Sequence, residues 1–391
     1  MINFDIVIIG CGINGLVTAL SLNKSNIKNI CVIEKYFVKK KNIHQLDNRF
    51  IALNISSVDL IKRLNVWEMI PKSDLTKYKK IKIYDSYENS EIIFDSHKYC
   101  QTKLGYIVKY NSLYQALLKK FFEKKIALIE DFNLFRLNYG KKFIFLQNNK
   151  GIIQIKTKFI IGTDGKYSVI KNILNFKNII KYYKQISLVC VLEMERTHDN
   201  TAYQWFNNFG TLAFLPLSKK TNVSMVWSIL NEKKKELSKL SLRELKLSIS
   251  HNSNYKLGKI KNISYLSFFS LKKMISKTYI APRITLIGDA AHSVHPLAGQ
   301  GMNLGLADIN NFLKVMLKNR EFQYDNFTNL RKFEYKQKIK NSIMIKFIDY
   351  IQIYYLFSSY HMKTLRSITQ NIFDKSHFLK EKSILFALGL I

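Results

Sequence analysis

FDIVIIGCGINGLVTALSLNK (4–24) is the stretch on which the fold turns. Its apolar run from Ile6 to Ile9 reads as a fully buried strand. The run stops at Gly10 in a G-x-G-x-x-G turn, Gly10-Cys11-Gly12-Ile13-Asn14-Gly15. A helical pattern follows from Leu16 to about Lys24, then a second strand, NICVIEK (29–35). Strand, glycine turn, helix and strand in that order make a βαβ unit. The glycines have separate duties. Gly10 permits the tight turn, Gly12 lets backbone approach a pyrophosphate, and Gly15 lets helix and strand pack closely. The helix start offers free N–H groups and a partial positive charge to phosphates. Glu34, nineteen residues past Gly15, is placed to accept hydrogen bonds from an adenosine ribose. An acid there excludes a 2′-phosphate, so the dinucleotide is FAD or NAD and not NADP.

Outward from this unit, the pattern predicts a helix at NSLYQALLKKFF (111–122) and a hairpin at KFIFLQNNKGIIQIK (142–156), with Asn148, Asn149 and Gly151 at its turn. KFIIGTDG (158–165) reads as another strand of the same layer. From about 182 to 275 the texture changes. LVCVLEME, TLAFLPL and NVSMVWSIL alternate and are rich in aromatics, as in an antiparallel sheet with one buried face. RITLIGDA (283–290) restores the α/β pattern, and residues from about 303 onward read as largely helical. The expected architecture is an α/β fold: a Rossmann-like domain from 1–75, 100–180 and 276–340, an interleaved antiparallel β-sheet domain from 76–99 and 181–275, and a helical C-terminal region from 341–391.

With 391 residues, 47% of them hydrophobic, the chain is long enough for one large core or two domains sharing an interface. The formal charge of +34 is mostly lysine, and isoleucine, asparagine, tyrosine and phenylalanine are also abundant. All have AT-rich codons, so the charge reads as solvated faces and predicts no nucleic-acid partner, with at most peripheral attraction to anionic lipid. No run reaches the ~18 apolar residues of a membrane span. IMIKFIDYIQIYYLF (343–357) is interrupted by Lys346, Asp349 and Gln352. FDIVIIG reads as a strand and not as a signal segment. Cys11, Cys31, Cys100 and Cys190 are far apart without CxxC spacing, which predicts a reducing, cytoplasmic setting with neither a disulfide framework nor a metal site.

Three further segments identify the dinucleotide. Asp164-Gly165 ends one strand, GDAAHSVHPLAGQGMNLG (288–305) ends another, and Asp47-Asn48-Arg49 is followed by Ala52-Leu53. With the N-terminal fingerprint, these make the chain resemble the class A FAD monooxygenases, the flavoprotein aromatic hydroxylases. Within them it is most similar to the ubiquinone-biosynthesis hydroxylases. LNVWE (64–68), LGYIV (104–108), AFLPL (213–217) and FALGL (386–390) resemble the branch acting on demethoxyubiquinol.

The resemblance implies a Rossmann-like FAD-binding domain, a β-sheet substrate domain, FAD as cofactor and NAD(P)H as a transient reductant. Gly10, Gly12, Gly15 and Glu34 would hold the ADP half, and Arg49 would reach towards the flavin. Asp164 and Gly165 at the D-G motif would be mainly structural, with a part in FAD and NAD(P)H binding, and Asp289 would accept from the ribityl hydroxyls. Gly299, Gln300, Gly301, Met302 and Asn303 would run beside the isoalloxazine ring. The implied reaction hydroxylates the ring of a polyprenylated quinol or phenol through a flavin hydroperoxide formed with O2. Phe214, Pro216, Met225, Trp227 and Pro296 are the expected substrate pocket. Implied surroundings are a quinone-synthesis enzyme complex and peripheral contact with the inner membrane. Relatives usually carry Glu-Asn where this chain has Lys109-Tyr110, and often Arg where it has Lys171. His292 and His295 are expected to brace their loop, and no catalytic residue is assigned. Two alternatives keep the fold: a flavin-dependent reductase or oxidase acting on a prenyl lipid, and a non-catalytic scaffold.

Overall fold

The computed structural model describes residues 1–36, 49–85, 90–99, 101–148, 153–207, 210–294, 299–318, 321–356 and 376–389. Strand β1 (Ile2–Ile9) feeds helix α1 (Ile13–Lys24), which returns to β2 (Ile30–Ile33) parallel to β1. The helix therefore begins three residues before the periodicity suggests, because Ile13 is already turned into the core. The last four residues of β1 and all of β2 are buried, as strands covered on both faces must be. β11 (Gln154–Gly162) lies parallel on the other side of β1, and β18 (Ile284–Leu286) lies parallel beyond β11. This parallel core order, β18-β11-β1-β2 followed by β8 (Ala127–Ile129), brings the turns after β1, β11 and β18 to one edge. β10 (Ile144–Asn148) pairs antiparallel with β11, which is the expected hairpin, although residues 149–152 of its turn lie outside the described residues.

The second sheet runs β19 (His292–Ser293), β16 (Ile260–Ser276), β12 (Asn178–Met194), β15 (Asn222–Leu230), β14 (Gly210–Pro216), β13 (Thr201–Asn207), β5 (Lys80–Asp85), β6 (Ser90–Asp95). Its neighbours are antiparallel except for the parallel pair β13–β5. A three-stranded sheet of β3 (Phe50–Asn54), β7 (Gly105–Lys109) and β4 (Leu75–Tyr78) stands between the two.

The remaining helices are α2 (Ile55–Arg63), α3 (Tyr110–Glu123), α4 (Val169–Ile173), α5 (Asn231–Lys239), α6 (Leu242–Asn252), α7 (Gln300–Met316), α8 (Phe327–Leu356) and α9 (His377–Ala387). The helical boundary expected at 340/341 falls inside α8, a single helix of 30 residues. Neither Pro nor Gly occurs within it to break the ladder.

The two largest of four apolar cores among the described residues carry most of the packing. The first surrounds the parallel strands and takes in α1, α3 and α7. The second joins one face of the antiparallel sheet to Leu245 and Ile249 of α6. Parity decides which face that is. Ile186, Leu188, Cys190, Leu192, Leu212, Phe214, Val223, Met225, Trp227 and Ile229 point to α6, so Ser187, Val189, Thr211, Ala213, Leu215, Val226 and Ser228 point the other way.

Candidate active site

The face turned away from α6 bounds a cavity of about 1320 Å³. Opposite it stand the start of α1 (Gly12, Ile13, Asn14), Arg49, Asp289 and the start of α7 (Gly299 to Asn303). Both helices begin with a glycine N-cap and no side-chain capping bond. Two sets of unmatched helix N–H groups thus open on one space, each carrying the positive end of a dipole.

The three fingerprint glycines differ in what they avoid. A Cβ on Gly10, whose φ is +103°, would lie 2.8 Å from the Asp164 Cα. A Cβ on Gly15 would lie 1.9 Å from the Gly10 carbonyl oxygen and 2.9 Å from Thr163 Oγ1. A Cβ on Gly12 meets nothing within 4 Å, and its φ of −84° suits any residue. Gly10 and Gly15 are therefore required by the protein's own packing. Gly12 leaves open the space beside the α1 N–H groups, a cradle for a pyrophosphate. Glu34 is buried, outside the cavity lining, and accepts from the Cys11 amide at 2.8 Å, which ties the end of β2 to the glycine turn.

Asp164 accepts from the Val169 amide (2.6 Å) and closes the turn into α4. Burial pushes its carboxyl pKa up, against hydrogen bonds from Ser168 and the Val169 amide. Its neighbours Gly165 and Lys166 line the cavity; Asp164 does not. Asp289 does line it. Burial raises its pKa too, opposed by His292, Lys166 and Arg49. A carboxylate set between buried Gly288 and Ala290 yet open to the cavity suits hydroxyl donors on a ligand. Asp289→Ala is expected to lower FAD occupancy without unfolding the chain. The check is flavin absorbance per protein after gel filtration, and undiminished occupancy would refute the role.

Asn303 lines the cavity, and its side-chain amide is held by the protein itself. Its Oδ1 accepts from the Asn54 amide (3.0 Å) and Ser57 Oγ (2.7 Å), and its Nδ2 donates to Ala52 O (2.9 Å) and Gly299 O (3.3 Å). With its hydrogen-bonding capacity spent, it staples the start of α7 to β3. What Gly299, Gln300, Gly301 and Met302 offer is backbone. Gly299 reaches its φ of +64° with a Cβ position 3.0 Å from Ala52 Cβ, so only glycine fits without strain.

Arg49 lies over the Tyr110 ring (5.1 Å) and the Phe269 ring (5.4 Å), its guanidinium held between two π faces at the cavity. Lys109-Tyr110 thus supplies a ring that orients Arg49, where Glu-Asn would supply polar contacts. Asp47 and Asn48 lie outside the described residues.

His292 is buried, and its Nε2 lies 2.6 Å from Asp308 Oδ2, which also accepts from the Gly288 amide (2.8 Å). Burial opposes charge on His292, but Asp308 outweighs it and holds the pKa above the ordinary histidine value. The pair fastens the loop to α7, the bracing expected of this residue. His295 and Pro296 lie outside the described residues.

Lys171 is buried, with its Nζ 3.1 Å from Met274 S and 3.4 Å from Lys166 O. Burial pushes its pKa from 10.5 down to about 8, against the pull of Asp164. A folded value below the unfolded one means the unfolded chain holds more protons between about 8 and 10.5, so stability rises with pH across that window. Lys171→Met is expected to raise the apoprotein's Tm at neutral pH and to flatten that rise, as measured by thermal unfolding at a series of pH values.

The structure corrects the expected substrate wall. Phe214, Met225 and Trp227 are fully buried against α6, and Pro216 shares their parity. The wall facing the cavity is the alternate set, Thr211, Ala213, Leu215, Val226 and Ser228. Size and aromaticity favour the first set in sequence, but a large apolar residue serves a core as well as a pocket. Asn14 was also not legible: its amide sits 2.2 Å from a Cβ placed on Gly288 and 2.7 Å from one on Gly305, wedging α1 against the loop and α7.

The cradle at Gly12, the cavity-facing Asp289 and the two uncapped helix starts fit a dinucleotide with a second electron-rich end. The profile of a family described as FAD binding domain matches residues 3–319. The chain belongs to this FAD-binding family. FAD is its cofactor, and it is an enzyme of the FAD-dependent aromatic monooxygenase type. A profile described as squalene epoxidase also matches residues 259–390. The chain is 26% identical to the 3-demethoxyubiquinol 3-hydroxylase of Escherichia coli, over 99% of this chain and 98% of that protein. It is 27% identical to the mitochondrial ubiquinone biosynthesis monooxygenase COQ6 of Dictyostelium discoideum, over 96% and 89%. In fold it is similar to the p-nitrophenol 4-monooxygenase PnpA of Pseudomonas putida, with a TM-score of 0.78, 12% identity and 99% coverage of both chains. Klebsiella pneumoniae HpxO, solved with FAD and uric acid, gives a TM-score of 0.74 at 14% identity, over 99% of this chain and 96% of that one.

Proposed function

We propose that this flavoprotein hydroxylates the aromatic ring of a polyprenylated quinol or phenol in ubiquinone biosynthesis, using O2 and NAD(P)H. The observation that carries the reading is the continuity of the cavity. From Asp289 and the start of α7 it runs without interruption along Val189, Val226, Ala213 and Leu215 to Ile83, Phe94 and Ile384. One end suits a flavin, the other an isoprenoid. In this reading the sheet formed by 76–99 and 181–275 is the substrate wall.

Bound FAD supplies the redox chemistry, passing electrons from NAD(P)H to O2 and one oxygen atom to the ring. The chain's residues do the rest. The α1 N–H groups hold the pyrophosphate, and Asp289 holds the ribityl chain. The α7 N–H groups would offer fixed donors to negative charge on the reduced flavin, and such donors are worth most in a dry site. Val189, Val226 and Leu215 exclude water from the reacting ring.

The same reading includes contact with the bilayer in which a prenylated substrate dissolves and assembly with other enzymes of the route. Among the described residues, no helix is long and apolar enough to cross a membrane. The exposed face of α8 supports contact without crossing: Tyr335, Ile339 and Tyr350 are exposed there among Lys336, Lys340 and Lys346, and the exposed Ile343 and Phe347 also border the cavity.

Incubation of the holoprotein with NAD(P)H, O2 and a prenylated phenol tests the function. A product heavier by one oxygen atom is expected. A product heavier only by hydrogens would favour the reductase alternative, and a protein that rejects FAD would sink both enzyme readings.

A further inference from the structure

We infer that a row of three hydroxyls on the cavity face, Ser187, Ser228 and Thr211, binds the oxygen substituents of the substrate ring and so sets which way the ring enters. This rests on the proposed reaction and adds the recognition element to its site. Register places the three side by side. Ser187 of β12 pairs with Ser228 of β15, and Ser228 pairs with Thr211 of β14. Residues directly opposite on adjacent strands share a face, with Cβ atoms ~5 Å apart, and all three line the cavity.

The row ends in a ring on each side. Ser187 pairs with Phe269 of β16, and Thr211 pairs with Phe206 of β13, both lining the same cavity. Phe269 is the ring beneath Arg49, so the row begins at the flavin end of the wall. Phe206 is stacked on Tyr355 with centroids 3.8 Å apart and planes 5° apart, which fixes the other end.

A wall built only to be dry has no use for hydroxyls. Ser187 is 3% exposed, and its Oγ has no hydrogen-bond partner in the protein. Leaving a buried hydroxyl unmatched costs ~1–3 kcal/mol, a cost that a ligand oxygen accepting or donating there would remove. The next rung, Val189, Val226 and Ala213, carries no polar side-chain atom. The change from hydroxyls to hydrocarbon over one rung gives the cavity a direction. The oxygenated ring lies across Ser187, Ser228 and Thr211, and the prenyl chain lies along Val226, Ala213 and Leu215.

The experiment uses FAD-loaded protein and two probes: a methoxyphenol bearing one prenyl unit, and its counterpart with both ring oxygens replaced by methyl groups. Affinity is read from the shift of the flavin absorbance on titration, and KM and kcat are measured separately on the phenol. Ser187→Ala and Ser228→Ala are expected to keep flavin content and Tm, since each removes a single hydroxyl and the one at Ser187 is unmatched in the protein. Each is expected to weaken the methoxyphenol about tenfold, the worth of one hydrogen bond, with the loss in KM more than in kcat. Binding of the methylated probe should hold or improve. Ser187→Thr, which retains the hydroxyl, should restore phenol affinity.

Equal loss for both probes would mean that the hydroxyls only shape the wall, and unchanged phenol affinity would remove the row from recognition. Either outcome overturns the inference while leaving hydroxylation by the parent protein intact. A parent protein that binds neither probe and yields no oxygenated product would overturn the proposed function together with this inference.

Discussion

Gly12→Val is expected to give a folded, colourless protein. The reason is the asymmetry among the fingerprint glycines. Nothing within 4 Å of a Cβ at this position belongs to the protein, and the backbone there is extended, with φ −84° and ψ −176°. The fold loses only the difference between glycine and valine at an N-cap, roughly 1 kcal/mol. The added isopropyl group occupies the space beside the first N–H groups of α1. It denies a pyrophosphate at least two charge-assisted hydrogen bonds, at ~1.5–3 kcal/mol each. FAD affinity should fall by more than about a hundredfold. Flavin retention and the Tm of flavin-free protein, measured together, check this. Normal flavin content would refute the cradle, and a collapsed Tm would show Gly12 to be a packing residue after all.

Gly15→Val inverts the pattern. Its Cβ would lie 1.9 Å from the Gly10 carbonyl oxygen. That oxygen cannot retreat, because the preceding peptide is anchored on both sides and the oxygen itself is held. The Gly10 amide donates to Ile33 O (2.8 Å), and Thr163 Oγ1 donates towards Ile9 O (2.9 Å) and Gly10 O (3.0 Å). Helix α1 must therefore lift from β1, disturbing Leu16, Val17 and Ala19, all fully buried. Overpacking against backbone at the centre of a core costs ~3 kcal/mol or more, a large share of the ~5–15 kcal/mol that holds a fold. The flavin-free protein should unfold at markedly lower denaturant than the parent. A stability equal to that of Gly12→Val would refute the distinction.

Much of this molecule was legible in the chain. Local pattern sufficed for the βαβ unit because two adjacent strands, the helix between them and the turn are contiguous, and each carries its own period. Asp289 and the start of α7 were read from the motifs of the family the chain resembles, since periodicity alone places that helix from about 303 and the structure starts it at Gln300. The substrate wall was not legible. Phe214 and Ala213 are neighbours in sequence, and a strand with two buried faces gives both sets of residues equal claim to the interior. The large residues were the conspicuous ones, yet they pack on α6, while smaller Ala213, Val226 and Ser228 leave room for a ligand. Lys109-Tyr110 stood out only as a departure, since its partner Arg49 lies sixty residues away and is met through the antiparallel pairing of β3 with β7.

Neighbours along the chain were enough for the nucleotide fingerprint, for FAD through the motifs that accompany it, and for the order of elements. Which face of the second sheet bounds the cavity emerges only when the layers pack. The same packing joins the Asn303 side chain to β3, pairs His292 Nε2 with Asp308 and stands three hydroxyls from three strands in one row. Those facts depend on register and on which layer packs against α6. Both are set by contacts between residues far apart in the chain, where local periodicity carries no information.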